Sequence, residues 1–234
     1  DAVVAAAVGT MGKTLRGSDV VWRPENRARA LPLLRTAYAA AGTAVERQNY
    51  ALALGLLGDP TGVETLVGIV TGKIAIEPVD RKGAFGTGGN AGAPGSPETK
   101  AGFLLALGRT KAKEAVRPIL GRLEEIRPGL SLKSLRPALL AAEALGDPAA
   151  APILAKCLRM DGYHGFAVKS AKDLAPLGGY GLGPEMLECL KEIGFARTLW
   201  ACGDSDGLAK RTLEAYAKDP RKTLAVHAEA VLKR

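Results

Sequence analysis

The chain has 234 residues, 47% hydrophobic and 24% charged, with a formal net charge of +8; such fractions exclude wholesale disorder. No apolar run approaches the roughly 18 residues that cross a bilayer, so a soluble chain is expected. Aromatics make up only 5% against 40 alanines, which favours closely packed helices over a β-sandwich.

The first residue is Asp1, so a processed protein or a piece of a longer one is expected. Ala2 to Met11 is apolar but has neither a basic stretch ahead of it nor a cleavage site, and does not read as a signal peptide. Apolar periodicity then predicts helices over 2–15, 26–41, 44–57, 61–72, 97–108, 111–126, 133–146, 149–159, 184–202, 205–218 and 221–233. Only Lys73 to Val79 alternates as a short strand would.

Four of the junctions share one layout. Leu57-Gly58-Asp59-Pro60, Leu107-Gly108-Arg109-Thr110, Leu145-Gly146-Asp147-Pro148 and Cys202-Gly203-Asp204-Ser205 each place a glycine between two helices. Apolar residues stand one and four positions before it: Leu57 and Leu54, Leu107 and Leu104, Leu145 and Ala142, Cys202 and Leu199. Eight and twelve positions after it come Leu66 and Val70, Val116 and Leu120, Leu154 and Leu158. In the fourth copy Leu208 and Leu213 take over.

Glycine closes a helix by adopting the left-handed conformation. Asp59, Asp147 and Asp204 are candidate caps of the following helix, and Pro60 and Pro148 suit its first turn. A helix pair built this way has an apolar face that it must bury on its neighbours, which is the logic of an α-solenoid.

The expected architecture is thus one all-α solenoid domain, 1–234. It runs through first helices and a repeat (1–72), a Gly/Pro-rich insertion (73–96), two repeats (97–159), a second insertion (160–183) and a C-terminal repeat (184–234). Insertions of this length in repeat proteins project from one side and are often functional.

Candidate chemistry is sparse. Gly9 to Thr14 ends like a P-loop, but its spacing fails at Ala7 and no buried strand precedes it. Gly86-Thr87-Gly88-Gly89-Asn90-Ala91 fits a loose dinucleotide pattern, yet it leads into Gly92, Ala93, Pro94 and Gly95, not a helix. With only His164 and His227, a histidine-rich metal site is not expected. Cys157, Cys189 and Cys202 are an odd count without paired spacing, so neither a disulfide framework nor a zinc site is indicated. Cys157 and Cys202 occupy apolar positions of the repeat, and nothing in the sequence favours a catalytic Cys–His pair.

Arg109, Lys111, Lys113, Arg117 and Arg122 gather around the second corner, with Lys113 and Arg117 on one face by their spacing. Interleaved Glu114, Glu124 and Glu125 make a solvated amphipathic face the default reading. A second basic group comprises Lys210, Arg211, Lys218, Arg221 and Lys222. The candidate partner-binding residues are therefore Phe85, Gly86 and Gly88 in the first insertion, Arg109, Lys113 and Arg117 on the basic face, and Tyr163, His164 and Phe166 in the second insertion.

Two resemblances follow from these words. Ala141 to Leu154, and next Leu52 to Val70, look like short bacterial HEAT-type repeats. More of the chain is similar to the helical C-terminal region of one group of bacterial FAD-dependent oxidoreductase-like proteins. The matching stretches are the Leu-Gly-Asp unit at 56–59, Leu104 to Thr110, Ala115 to Leu120, Ala144 to Pro148, Leu199 to Asp204 and Leu213 to Ala217.

That resemblance implies a non-catalytic docking region beside a flavin domain. The flavin fingerprint is not in this chain, so no FAD-binding or other cofactor residue is assigned. The alternative is a basic HEAT-repeat nucleic-acid-binding protein resembling alkylpurine DNA glycosylases. Those use a basic concave face with aromatic residues, whereas neither Trp22 nor Trp200 lies in a basic-aromatic cluster.

Overall fold

Alternating apolar positions spaced for helices, broken by Gly-Asp-Pro words, produce ten α-helices among residues 24–77, 97–173 and 184–233, which are those the computed structural model describes. No strand occurs among the described residues. The predicted helix over 2–15 lies outside them, as do most of the first insertion and the end of the second. The chain divides into two compact units, Asp1–Pro118 and Ile119–Arg234.

In the first unit, α1 (Pro24–Ala39), α2 (Ala44–Leu56), α3 (Val63–Val70) and α4 (Pro97–Thr110) pack in sequence, α2 against α1, α3 and α4. Thr43 and Glu46 form a capping box that starts α2. Ala30, Leu34, Ala53, Leu54 and Leu57 make one buried cluster, with Leu31, Tyr38 and Tyr50 against it. The corner after α2 follows expectation. Gly58 is left-handed (φ 75°), its N–H bonds Gly55 O and the Asp59 N–H bonds Leu54 O, the paired closure of a Schellman motif. Asp59 Oδ1 then accepts from Thr61 N at 3.0 Å to start the next turn.

Close approach explains two other glycines of this unit. A Cβ on Gly62 would stand 2.7 Å from the Ala51 Cα, and one on Gly55 would meet Leu66 Cδ1 at 2.7 Å and Ala106 at 3.0 Å. The residues after α3 do not form the expected strand. Lys73 to Glu77 is irregular, and its hydrogen bonds go to a side chain: Gln48 Nε2 donates to Ala75 O at 2.6 Å, and Glu77 N donates to Gln48 Oε1 at 3.2 Å. A buried amide thus supplies both partners, as a neighbouring strand would.

The second corner departs from expectation. Gly108 lies within α4, and the left-handed residue is Lys111 (φ 53°). Thr110 makes this possible by donating from Oγ1 to Leu107 O at 2.7 Å and accepting from Ala112 N at 3.3 Å. Register shifts accordingly. Eight and twelve residues beyond Lys111 stand Ile119 and Leu123, both fully buried, whereas the expected Val116 and Leu120 are only half-buried. Counting from the left-handed residue restores the rule that counting from Gly108 broke.

Helix α5 (Lys113–Glu124) runs from the first unit into the second. The second unit continues with α6 (Leu132–Leu145), α7 (Ala151–Leu158), α8 (Pro184–Cys202), α9 (Leu208–Ala217) and α10 (Lys222–Leu232). Helix α8 is its axis, packed against α6, α7 and α9, and buries Cys189, Ile193, Phe195, Ala196, Leu199 and Cys202. Gly146 (φ 67°) closes α6, and Asp147 Oδ1 accepts from Ala149 N at 2.8 Å to open the next turn. At the fourth corner Gly203 is left-handed (φ 104°), and Asp204 caps α9 through Ala209 N and Lys210 N, each at 2.9 Å.

These contacts predict opposite effects for two identical substitutions. Gly62→Ala forces its methyl into the α2 backbone and lowers stability by about 1–3 kcal/mol. Gly121→Ala on α5, where a Cβ would meet nothing within 4 Å, raises stability by about 0.5–1 kcal/mol through helix propensity. Urea unfolding followed by circular dichroism measures both; equal shifts would contradict the packing described.

Candidate interaction site

The described part of the second insertion, residues 160–173, leaves the end of α7 with left-handed glycines at Gly162 (φ 84°) and Gly165 (φ 87°). Between them Tyr163 turns inward. It is fully buried, its ring centroid lies 5.0 Å from that of Phe195, and its hydroxyl donates to Arg127 O at 2.5 Å. Tyr163 therefore belongs to the core, and its side chain is not available as a surface contact. His164 beside it is exposed, and Phe166 is half-buried.

The backbone that follows is pinned by side chains from two other elements. Glu192, 5% exposed on α8, accepts from Gly165 N through Oε1 at 3.0 Å and from Phe166 N through Oε2 at 2.9 Å. The hydroxyl of fully buried Tyr216 donates to the same Oε2 at 2.7 Å. Three donors around one carboxylate meet the demand that a buried charge be fully hydrogen-bonded. Burial, and then the charge of Glu192, push the Tyr216 hydroxyl far above its ordinary pKa.

The second clamp is Asp219, in the turn between α9 and α10. Asp219 Oδ2 accepts from Val168 N at 2.9 Å and from Arg221 Nη2 at 2.6 Å, while Oδ1 accepts from Arg221 N and Nε at 2.9 and 2.8 Å. Arg221 also reaches the loop itself, donating to Phe166 O at 2.7 Å. Burial acts to raise the Asp219 pKa, but the bonds from Arg221 and Val168 outweigh it and hold the carboxyl below its ordinary range. Cys189 lies under the loop with its thiol 3.7 Å from Phe166 O, and burial pushes that thiol up.

None of Glu192, Tyr216 and Asp219 was a sequence candidate. Asp219-Pro220 does repeat the Asp-Pro word of Asp59-Pro60 and Asp147-Pro148, and its cap of the residue two positions on is the same. That word was the available signal.

The other candidates are scattered. Phe85, Gly86 and Gly88 lie outside the described residues. Arg109 is half-buried and donates to Leu56 O at 3.1 Å, supporting the end of α2; burial lowers its pKa. Lys113 and Arg117 are exposed on α5. All three cysteines are buried, and burial raises Cys202 to about 11, a poor state for a nucleophile.

No group of three or more His, Cys, Asp and Glu that could hold a metal occurs among the described residues, and no described helix is long and apolar enough to cross a membrane. A groove of about 430 Å³ bordered by Leu123, Ile126, Ile153, Cys157 and Met160 is largely apolar. Arg127 at its rim is committed to the carbonyls of Glu124 and Ile126. Comparison with family models, with curated proteins and with solved structures returned no match.

The two clamps predict separable effects on amide exchange. Because the Asp219 pKa is depressed on folding, its stabilising contribution is present above the ordinary carboxylate range and is lost as pH falls through its folded value. Asp219→Asn at neutral pH speeds exchange of the Val168 amide by roughly 10-fold or more through loss of a charge-assisted bond. The Gly165 and Phe166 amides, which Glu192 holds, change much less. Uniform loss of protection over 165–168 would show a single cooperative clamp in place of two.

Proposed function

We propose that this chain is a non-catalytic docking module built of HEAT-like helix pairs, and that it forms the C-terminal region of an FAD-dependent oxidoreductase-like protein. The observation that carries the docking reading is the clamped loop. Buried carboxylates commit their hydrogen bonds to holding backbone N–H groups, leaving His164 and part of Phe166 facing outward on a rigid support. Fixed loops on helical frameworks bind with little ordering cost. The HEAT-like reading is supported by a left-handed residue with a fully buried position eight residues on at Gly58, Lys111 and Gly146, joined by an Asp cap at the first and third. The link to a flavoprotein rests on the sequence resemblance alone.

A second reading, a basic HEAT-like nucleic-acid-binding protein resembling alkylpurine DNA glycosylases, draws on the exposure of Lys111, Lys113, Arg117 and Arg122 around α5. Against it stand Glu114 and Glu124, exposed on the same helix.

The coding sequence upstream of Asp1 tests the first reading. A strand followed by Gly-x-Gly-x-x-Gly and a helix is expected there. The encoded flavin domain, titrated with this chain in trans, should bind it and should protect the amides of residues 164–172 from exchange. A bare start codon or a secretion signal removes the flavoprotein link. Tight DNA binding whose affinity falls steeply with salt favours the second reading.

A further inference from the structure

We propose, on the docking reading above, that the clamped loop and the α9–α10 turn form one surface that takes an acidic segment of a protein partner. Over residues 164–172 and 218–222 the ionisable side chains are His164, Lys169, Lys172, Lys218, Asp219, Arg221 and Lys222. Within these two stretches, which Asp161 and Asp173 flank on the loop side, Asp219 is the one acid, and it is 4% exposed with its carboxylate engaged by Arg221 and Val168 N. The charge it could offer a partner is thereby cancelled. Lys169, Lys172, Lys218 and Lys222 are all exposed.

The Val168 N–Asp219 Oδ2 bond brings the two segments together. Given its 2.9 Å length, ordinary bond lengths and the 3.8 Å step between neighbouring Cα atoms place the Cα atoms of Lys169 and Lys218 within about 16 Å of each other. An extended segment of about five residues covers that span, and each lysine reaches further on its flexible stem.

The acids of the packed helix α8 do not fill this role. Glu192 is buried in the clamp, Glu188 is paired with Lys191 at 2.7 Å, and Glu185 sits in the first turn of its helix, where a carboxylate is favoured by the helix dipole. Tyr216 is buried and bonded to Glu192, and the buried Cys189 thiol lies under the loop at Phe166 O. Half-buried Phe166 supplies aromatic surface in the same loop as Lys169 and Lys172. The complementary partner segment is therefore a short run of Asp and Glu carrying an apolar or aromatic residue. Such complementarity governs specificity and association rate more than affinity.

The probe is a fluorescein-labelled peptide of about eight residues alternating Glu with Phe, titrated into the full chain at low salt and followed by anisotropy. Its Gln counterpart, a single-stranded DNA of about 20 nucleotides and vesicles rich in phosphatidylserine are run in parallel. The Glu peptide is expected to bind roughly 10-fold tighter than the Gln peptide, an advantage lost at high salt. The double variant Lys169→Glu/Lys218→Glu should abolish that advantage with its helical circular dichroism intact. Lys113→Glu/Arg117→Glu, on a different helix, should keep it within about twofold.

Equal binding of the two peptides, an unaffected double variant, or DNA or vesicles binding more tightly through the same lysines would each overturn the assignment. Should the peptide fail while the upstream flavin domain still binds the chain and protects residues 164–172, only the acidic partner falls. Failure of both removes the docking reading as well.

Discussion

An aspartate at the start of a helix has two carboxylate oxygens and needs only one of them to cap. At Asp59, Asp206 and Asp219 the second oxygen ties the turn to a distant segment. Asp59 caps Thr61 N with Oδ1 and holds Arg35 of α1 with Oδ2. Asp206 caps Leu208 N with Oδ1 and pairs with Arg159 through Oδ2. Asp219 caps Arg221 N with Oδ1 and holds the Val168 backbone with Oδ2. Local helix initiation and long-range tethering thus share one side chain. Burial alone would raise the Asp59 pKa, yet the bonds from Arg35 and Thr61 hold it below its ordinary range, as happens at Asp219.

Placing the following helix also requires a turn of fixed hand. Glycine provides it at Gly58, Gly146 and Gly203, whereas the second corner uses Lys111 (φ 53°). A left-handed conformation costs a non-glycine residue about 1–2 kcal/mol. Thr110 offsets part of that cost by linking a last-turn carbonyl, Leu107 O, to the Ala112 N–H beyond the corner. Gly108 is then free to sit in the body of α4.

This substitution marks the boundary of what was legible in the sequence. Helix positions could be read because their apolar spacing is local, and the caps of Asp59 and Asp147 because their acceptor lies two residues from its donor. Leu107-Gly108 has the same appearance as Leu57-Gly58 and Leu145-Gly146, so it misplaced the corner by three residues. The buried pair Ile119 and Leu123 held the correct phase. The clamp was not legible for a different reason. Glu192 and Asp219 meet the loop across 26 to 51 residues of sequence, and Tyr216 meets Glu192 across 24; no periodicity reports contacts of that separation. Tyr163 and His164 were read alike as loop residues, but one is fully buried and the other exposed. Neighbours in a turn point in opposite directions, and only the contact with Phe195 decides which one enters the core.

Both insertions begin under the control of a buried polar side chain from a helix, and the difference between the two is chemical. Gln48, 4% exposed, donates to Ala75 O and accepts from Glu77 N. An amide matches one carbonyl and one N–H, as a neighbouring strand would, and remains neutral. Glu192 accepts from two consecutive N–H groups, one on each oxygen, with acceptor capacity left over for a third donor. It brings a buried negative charge that Tyr216 must share. The neutral clamp does not titrate. The charged one ties the loop to α8 and, through Tyr216, to α9, while Asp219 and Arg221 tie it to the start of α10. A loop bound to three helices cannot shift without disturbing their caps and core contacts, so the surface it carries inherits the rigidity of the second unit.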